Sequence, residues 1–272
     1  MARHPKQIGI CRLCGIEGYL TFEHVPPRSS YNKNTKYFSI DFMEYVQSED
    51  IINNPPKGKI KQGGIGYNSL CSKCNSFLGT EYVNAYSKWT QTGAQIISEN
   101  NFKFAIVSMI KQEPLKILKE VISMFVAIND EWYLEAYPEL AEFVKNPKMK
   151  ELPAKFRIFM YLNDEGGTRY MNHSGVYKPE LGGTVNCTEI TFPPFGYLLT
   201  IGFNYDINIL TNITHFKNYD YKQVVDLKLP LFKLPVYSPF PLDYRSKVKM
   251  NIDIKNSLLK KKEFENSRKI RE

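Results

Sequence analysis

Long apolar runs are missing from this chain. No stretch approaches the about 20 consecutive apolar residues that a bilayer-spanning helix needs, which argues against a membrane protein. The opening Met1-Ala2-Arg3-His4-Pro5-Lys6-Gln7 leads into Ile8-Gly9-Ile10-Cys11 with no extended apolar core, so a secretion signal is not expected and a cytoplasmic setting is. Histidine and cysteine are scarce, at four and five in 272 residues. That scarcity excludes a disulfide-rich scaffold. Acidic residues are outnumbered, 28 against 36 basic, for a formal charge of +8. The excess is segregated: residues 1–79 carry a net +4 and residues 245–272 a net +6, leaving −2 between them. Basic ends suit a polyanionic partner, DNA first and RNA not excluded. No internal repeat is present.

What cysteine there is stands in a pattern. Cys11-Arg12-Leu13-Cys14 and Cys71-Ser72-Lys73-Cys74 are two CxxC knuckles. Each such turn aims two thiolates at one point, and two turns complete a tetrahedral zinc site with no open coordination position. A zinc held there is structural. The fifth, Cys187, reads as a small buried hydrophobe.

The texture changes along the chain. Residues 1–80, rich in Gly, Pro, Asn and Lys, read as a metal-held module. Residues 81–150 read as helical: Thr80 is placed to cap a helix carrying Tyr82, Ala85, Tyr86 and Trp89 on one face. Further helices are expected from Pro114 and over Pro138 to Val144. Residues 151–252 read as β-rich, with strands over Phe156–Leu162, Thr188–Phe192 and Tyr197–Phe203, and with prolines 230, 235, 239 and 241 suggesting an irregular segment. Residues 253–272 form a basic tail. The fold class expected is α+β, with a dimer or partner-protein interface as one use of the C-terminal region.

Between the knuckles lies Leu20-Thr21-Phe22-Glu23-His24-Val25-Pro26-Pro27-Arg28. Phosphodiester hydrolysis needs a base to activate water and a divalent cation to take up charge. His24, with an ordinary pKa near neutrality, suits the first task. The Glu23 carboxylate suits a hard cation such as Mg²⁺. Adjacent residues on a regular strand face opposite ways, so serving one site requires an irregularity near the strand end. Arg28, and the alternating Lys57, Lys59 and Lys61 near Gly63-Gly64, are candidates for phosphate contact.

The combination of CxxC, Glu-His-Val-Pro, Gly-Gly and Leu70-Cys71-Ser72-Lys73-Cys74-Asn75 resembles the HNH, or ββα-metal, nucleases over roughly residues 8–80. The resemblance implies a zinc-stapled ββα module, with His24 as general base and Glu23 as a ligand of the catalytic cation. Asn75 stands where the motif's final His is usual, and Asn68 is assigned to its middle Asn. The spacing from His24 to Cys71 exceeds the compact pattern and leaves room for an insertion around residues 31–62. The implied activity is a metal-dependent DNA endonuclease, with phage defence or restriction as its setting. The alternative is a zinc-ribbon module that binds nucleic acid or protein without cutting.

Overall fold

In the computed structural model of the chain, the described residues are 7–39, 47, 58–99, 102–163, 168–178, 183–204 and 206–234. The chain divides into two compact units, Met1–Tyr37 with Gln62–Ser238, and Phe38–Lys61 with Pro239–Glu272. Phe38–Lys61 falls within the insertion expected from the long His24–Cys71 spacing. In this stretch β3 (Tyr37–Ser39) and β4 (Lys59–Lys61) pair as a two-stranded sheet. Lys57 and the basic tail lie outside the described residues.

The first unit is mixed α and β. It begins with a three-stranded antiparallel sheet, β1 (Gln7–Ile10), β2 (Glu17–His24) and β5 (Gly66–Cys71), with β2 in the centre. The chain passes from β5 into α1 (Ser72–Glu81) and then α2 (Val83–Glu99). Thr80 is therefore no cap. It sits in the last turn of α1, its hydroxyl donating to the Ser76 carbonyl at 3.0 Å.

Residues 104–112, expected to be helical, form strand β6 (Phe104–Gln112), paired with β12 (Val225–Phe232). The strand is hidden in the sequence because its solvent face also carries apolar side chains. Phe104, Ile106 and Ile110 are exposed, which blurs the alternation that marks a half-buried strand. Pro230 lies within β12, where an irregular segment is expected from the sequence. Among the described residues β12 pairs with β6 alone, and an edge strand tolerates a residue without an N–H.

Helix α3 (Pro114–Ile128) starts at its proline as the pattern predicts, since Pro lacks an N–H that the first turn would not use. It is buried along nearly its whole length. The short helices α4 (Glu131–Ala136) and α5 (Pro138–Lys145) follow. A five-stranded antiparallel sheet closes the unit, from β7 (Phe156–Leu162), β8 (Arg169–Lys178), β9 (Gly183–Phe192), β10 (Phe195–Ile201) and β11 (Thr211–Asn212), in the order β11-β7-β10-β9-β8. Strand β7 is almost continuously apolar because both its faces are covered. Phe156, Ile158, Met160 and Leu162 join the main core, while Phe159 and Tyr161 join a second cluster with Cys187, Leu198 and Phe203. Cys187 is a buried packing residue there.

No separate core exists for the described part of residues 1–80. Leu13, Leu20, Leu70 and Leu78 share one cluster with α2, α3 and the inner face of the five-stranded sheet. Trp89 of α2 joins the parts: it is fully buried, stacks on Phe195 with centroids 5.2 Å apart, and donates its indole N–H to the Tyr197 hydroxyl at 3.0 Å. Arg12, inside the first knuckle, donates to the Asn129 carbonyl beyond α3 and pairs with Glu131 at 2.7 Å. The boundary expected at residue 80 thus crosses a continuous interior. Among the described residues no helix is long and apolar enough to cross a membrane.

Candidate functional site

The two knuckles meet. The four sulfurs of Cys11, Cys14, Cys71 and Cys74 all lie within 4.8 Å of one another, and Cys14 Sγ is 3.9 Å from Cys71 Sγ. Thiolates bound tetrahedrally at about 2.3 Å from zinc stand roughly 3.8 Å apart, so the donor set fits a structural zinc ion. Local backbone explains how. Gly15 adopts a φ of +74°, which lets the first knuckle fold back with Gly15 N–H on the Cys11 carbonyl at 2.8 Å. The second knuckle is the start of α1, with Cys71 as its N-cap and the Cys71 N–H donating to Cys11 Sγ at 3.3 Å. A hydrogen bond from Cys74 is the chief reason the Cys11 thiol is held down at about 4, while the same contact drives the Cys74 thiol far up. Four crowded sulfurs cannot all ionise without a cation among them.

The cysteine cluster pins the strands and the helix that meet at it. β2 and β5 pair antiparallel and β5 runs into α1, giving strand–strand–helix order with the last knuckle at the strand–helix junction. The β2–β5 register shifts between Thr21 and Phe22. The unpaired residue of that bulge is Ser69 on β5, and β2 itself runs on in regular register through Glu23 and His24, opposite Tyr67 and Gly66. Glu23 and His24 both line a cavity of about 560 Å³, together with Phe22, Pro27, Arg28, Lys33, Asn75 and Val83.

Each side chain there has a definite environment. His24 Nε2 is 3.2 Å from the Gly63 carbonyl. A carbonyl only accepts, so Nε2 carries the hydrogen and Nδ1 is the nitrogen able to take a proton. Gly64, at φ +99°, keeps the chain close: a Cβ there would meet His24 Cδ2 at 2.7 Å. The Gly63-Gly64 pair, read in the sequence as part of a lysine-rich strip, thus positions the imidazole. Asn75 donates from Nδ2 to Thr21 Oγ1 at 3.1 Å and to the Phe22 carbonyl at 3.3 Å. Those contacts turn its NH₂ toward β2, so its amide oxygen is the atom that can ligate. Glu23 is 8% exposed, and burial pushes its carboxyl up to about 8. A nearby cation would reverse that shift.

No protein-family model, curated protein or solved structure matches this chain. What the site can do chemically rests on its own geometry.

Arg28 and Lys33 at the cavity are exposed and form no ion pair among the described residues. Lys33 carries no signal in the sequence beyond its charge. Lys59 and Lys61 are exposed on β4, in the second unit. Asn68 does not line the cavity; its side chain points to β1 and donates to Gln7 Oε1 at 3.3 Å. The asparagine that ties the site together is Asn32. Fully buried, it donates to the carbonyls of Pro26 and Ile65 at 2.8 and 2.7 Å and accepts from the Ile65 N–H at 2.8 Å. It thereby joins the turn after His24 to the residues entering β5. Tyr170 of β8 holds the same turn from the other side through the Val25 carbonyl. Such a role needs the tertiary fold to become visible, because Asn32 reads locally as one more polar loop residue.

Proposed function

We propose that this chain is a metal-dependent endonuclease that hydrolyses DNA phosphodiester bonds in the cavity at the end of β2. The observation that carries the reading is the convergence of Glu23, His24 and Asn75, from a strand end and the first turns of a helix, on one cavity that also presents Arg28 and Lys33. In this reading His24 Nδ1 takes the proton of the attacking water while the Gly63 carbonyl stabilises the imidazolium through Nε2–H. The Glu23 carboxylate and the Asn75 amide oxygen would hold a divalent cation, whose contribution is to take up charge on the phosphate and leaving oxygen. Arg28 and Lys33 anchor flanking phosphates. The cysteine cluster, with no open position, braces the helix start that carries Asn75.

The test is nicking of supercoiled plasmid by the zinc-loaded protein with Mg²⁺ or Mn²⁺. The reading requires cleavage that depends on the added cation and is lost in His24→Ala. A second reading, a zinc-braced module that binds nucleic acid without cutting, is favoured by the hydrogen bonds that tie His24 and Asn75 to backbone. It predicts DNA binding weakened in Arg28→Ala or Lys33→Ala, with no cleavage under any metal.

A further inference from the structure

The segment from Pro27 to Thr35 serves two cavities. Arg28 and Lys33 line the one that Glu23 and His24 share. Tyr31 and Thr35 line another, of about 380 Å³. Lys33 stands two residues from each of them, so its Cα is at most about 7 Å from theirs, roughly two base steps of B-DNA. The walls of the second cavity are fixed. Helix α2 supplies Ala94 and Ile97, and the end of β9 with the turn after it supplies Phe192 and Pro194. These walls meet closely, since a Cβ on Gly93 would lie 2.3 Å from the Phe195 ring on which Trp89 stacks. The segment itself is tied to α2 by a hydrogen bond between the Ser29 and Ser87 hydroxyls. At its far end the Thr35 carbonyl accepts from the Gly64 N–H at 3.3 Å.

A preformed, mainly apolar concavity is the usual form of a small-ligand site, and this one lies toward the small end of their range of about 300–1,000 Å³. Its lining says what fits. No charged side chain among the described residues lines it, so it suits neither a phosphate nor a metal ion. The Tyr31 ring is 54% exposed, on a backbone with φ +70°, a conformation uncommon for a bulky residue. The hydroxyls of Thr35 and Thr168 add hydrogen-bonding groups to the apolar walls. A flat, uncharged ring with polar edges matches that set, and the cations for its attached phosphates stand on the other side of the same segment. We propose that this cavity takes an unstacked nucleobase of the strand whose phosphates Arg28 and Lys33 anchor, with Tyr31 as its stacking platform. The inference rests on nucleic acid being the ligand in the reading above, and not on its cleavage. It gives the protein a preference for single-stranded or unpaired DNA, because a base within a duplex must first leave the stack.

The test is binding of two fluorescently labelled strands by the zinc-loaded full chain, without added divalent cation. One is a short oligothymidylate and the other is the same sugar–phosphate backbone without bases. Wild type should bind the base-bearing strand at least about tenfold more tightly. Tyr31→Asn removes the ring and suits a positive φ, while Ala94→Trp fills the cavity from α2. Each should remove most of that preference and leave affinity for the abasic strand within about twofold of wild type. Tyr31→Phe should keep the preference, and Arg28→Ala should weaken both strands alike. Equal binding of the two strands by wild type, or an undiminished preference in folded Tyr31→Asn and Ala94→Trp, overturns the proposal. The nuclease reading fails separately: base-dependent binding with no plasmid nicking under any metal would remove the activity and leave this site. His24-dependent nicking with no preference for the base-bearing strand would do the reverse.

Discussion

Two regions of the first unit bury acidic groups in opposite ways. In the five-stranded sheet, Glu189 is fully buried but accepts a hydrogen bond from the Tyr161 hydroxyl at 2.7 Å and faces the Arg169 guanidinium at 3.8 Å. That network belongs to the protein alone. Around β2 and α3 the interior holds four cysteine sulfurs and the carboxyls of Glu23 and Glu120, and among the described residues no lysine or arginine side chain pairs with them. A charge satisfied by its own chain is architecture. A group of potential anions with no counter-charge of its own invites cations from outside: the four sulfurs fit a structural zinc ion, and the divalent cation proposed above would supply one to Glu23.

The contrast can be attacked experimentally, and the zinc site should give the largest effect. Cys71→Ser should lose its zinc and melt at a much lower temperature, since metal-binding free energy on the order of 10 kcal/mol contributes to folding in such sites. Because Leu13, Leu20 and Leu70 share the main core, the loss should extend past residue 80. Calorimetry with zinc analysis checks this. An unchanged melting curve would rule the cluster out as a metal site.

Next comes the sheet. Glu189→Ala removes the buried carboxylate that Arg169 and the Tyr161 hydroxyl face and should cost about 3 kcal/mol in urea unfolding. Added divalent cation should not restore it.

The Glu23 carboxyl should instead show itself through pH. Its folded pKa, about 8, lies above the ordinary carboxylate value. The fold therefore favours the protonated form, and the associated stability is full below about pH 4.5 and is lost as pH rises through about 8. Without added divalent cation the melting temperature should fall across that window, by on the order of a few kcal/mol of stability. Glu23→Gln should flatten the slope. Saturating Mn²⁺ should flatten it too, by stabilising the ionised form.

The smallest effect is expected at Lys119, a buried cation that serves carbonyls at a helix end. Burial lowers its ammonium to about 7, so its penalty is greatest at low pH and is relieved as pH rises from about 7 toward 10.5. Lys119→Met trades two hydrogen bonds for that relief and should change stability by roughly 1 kcal/mol or less at neutral pH.

How much of this the sequence discloses depends on whether the signal is local. The CxxC knuckles, the Glu23-His24 pair and the α3 start at Pro114 depend on spacing within a few residues, and their positions can be read directly. Asn75 is legible because it adjoins a knuckle. Asn32 and Lys33 reach the site through tertiary packing. Neither leaves a local trace in the sequence. Strand β6 escapes because its exposed face is apolar. The division at residue 80 follows a change in composition that the continuous core does not respect.

The proposed activation of water by His24, beside a divalent cation in this cavity, is probed most directly by the rate of plasmid nicking. Wild type and His24→Ala would be compared in Mn²⁺, each with and without added imidazole. The rate should fall about 10²–10⁴-fold in the variant, recover in part with imidazole, and vanish when the cation is removed. Nicking by His24→Ala at the wild-type rate, or wild-type nicking that needs no divalent cation, would contradict this role.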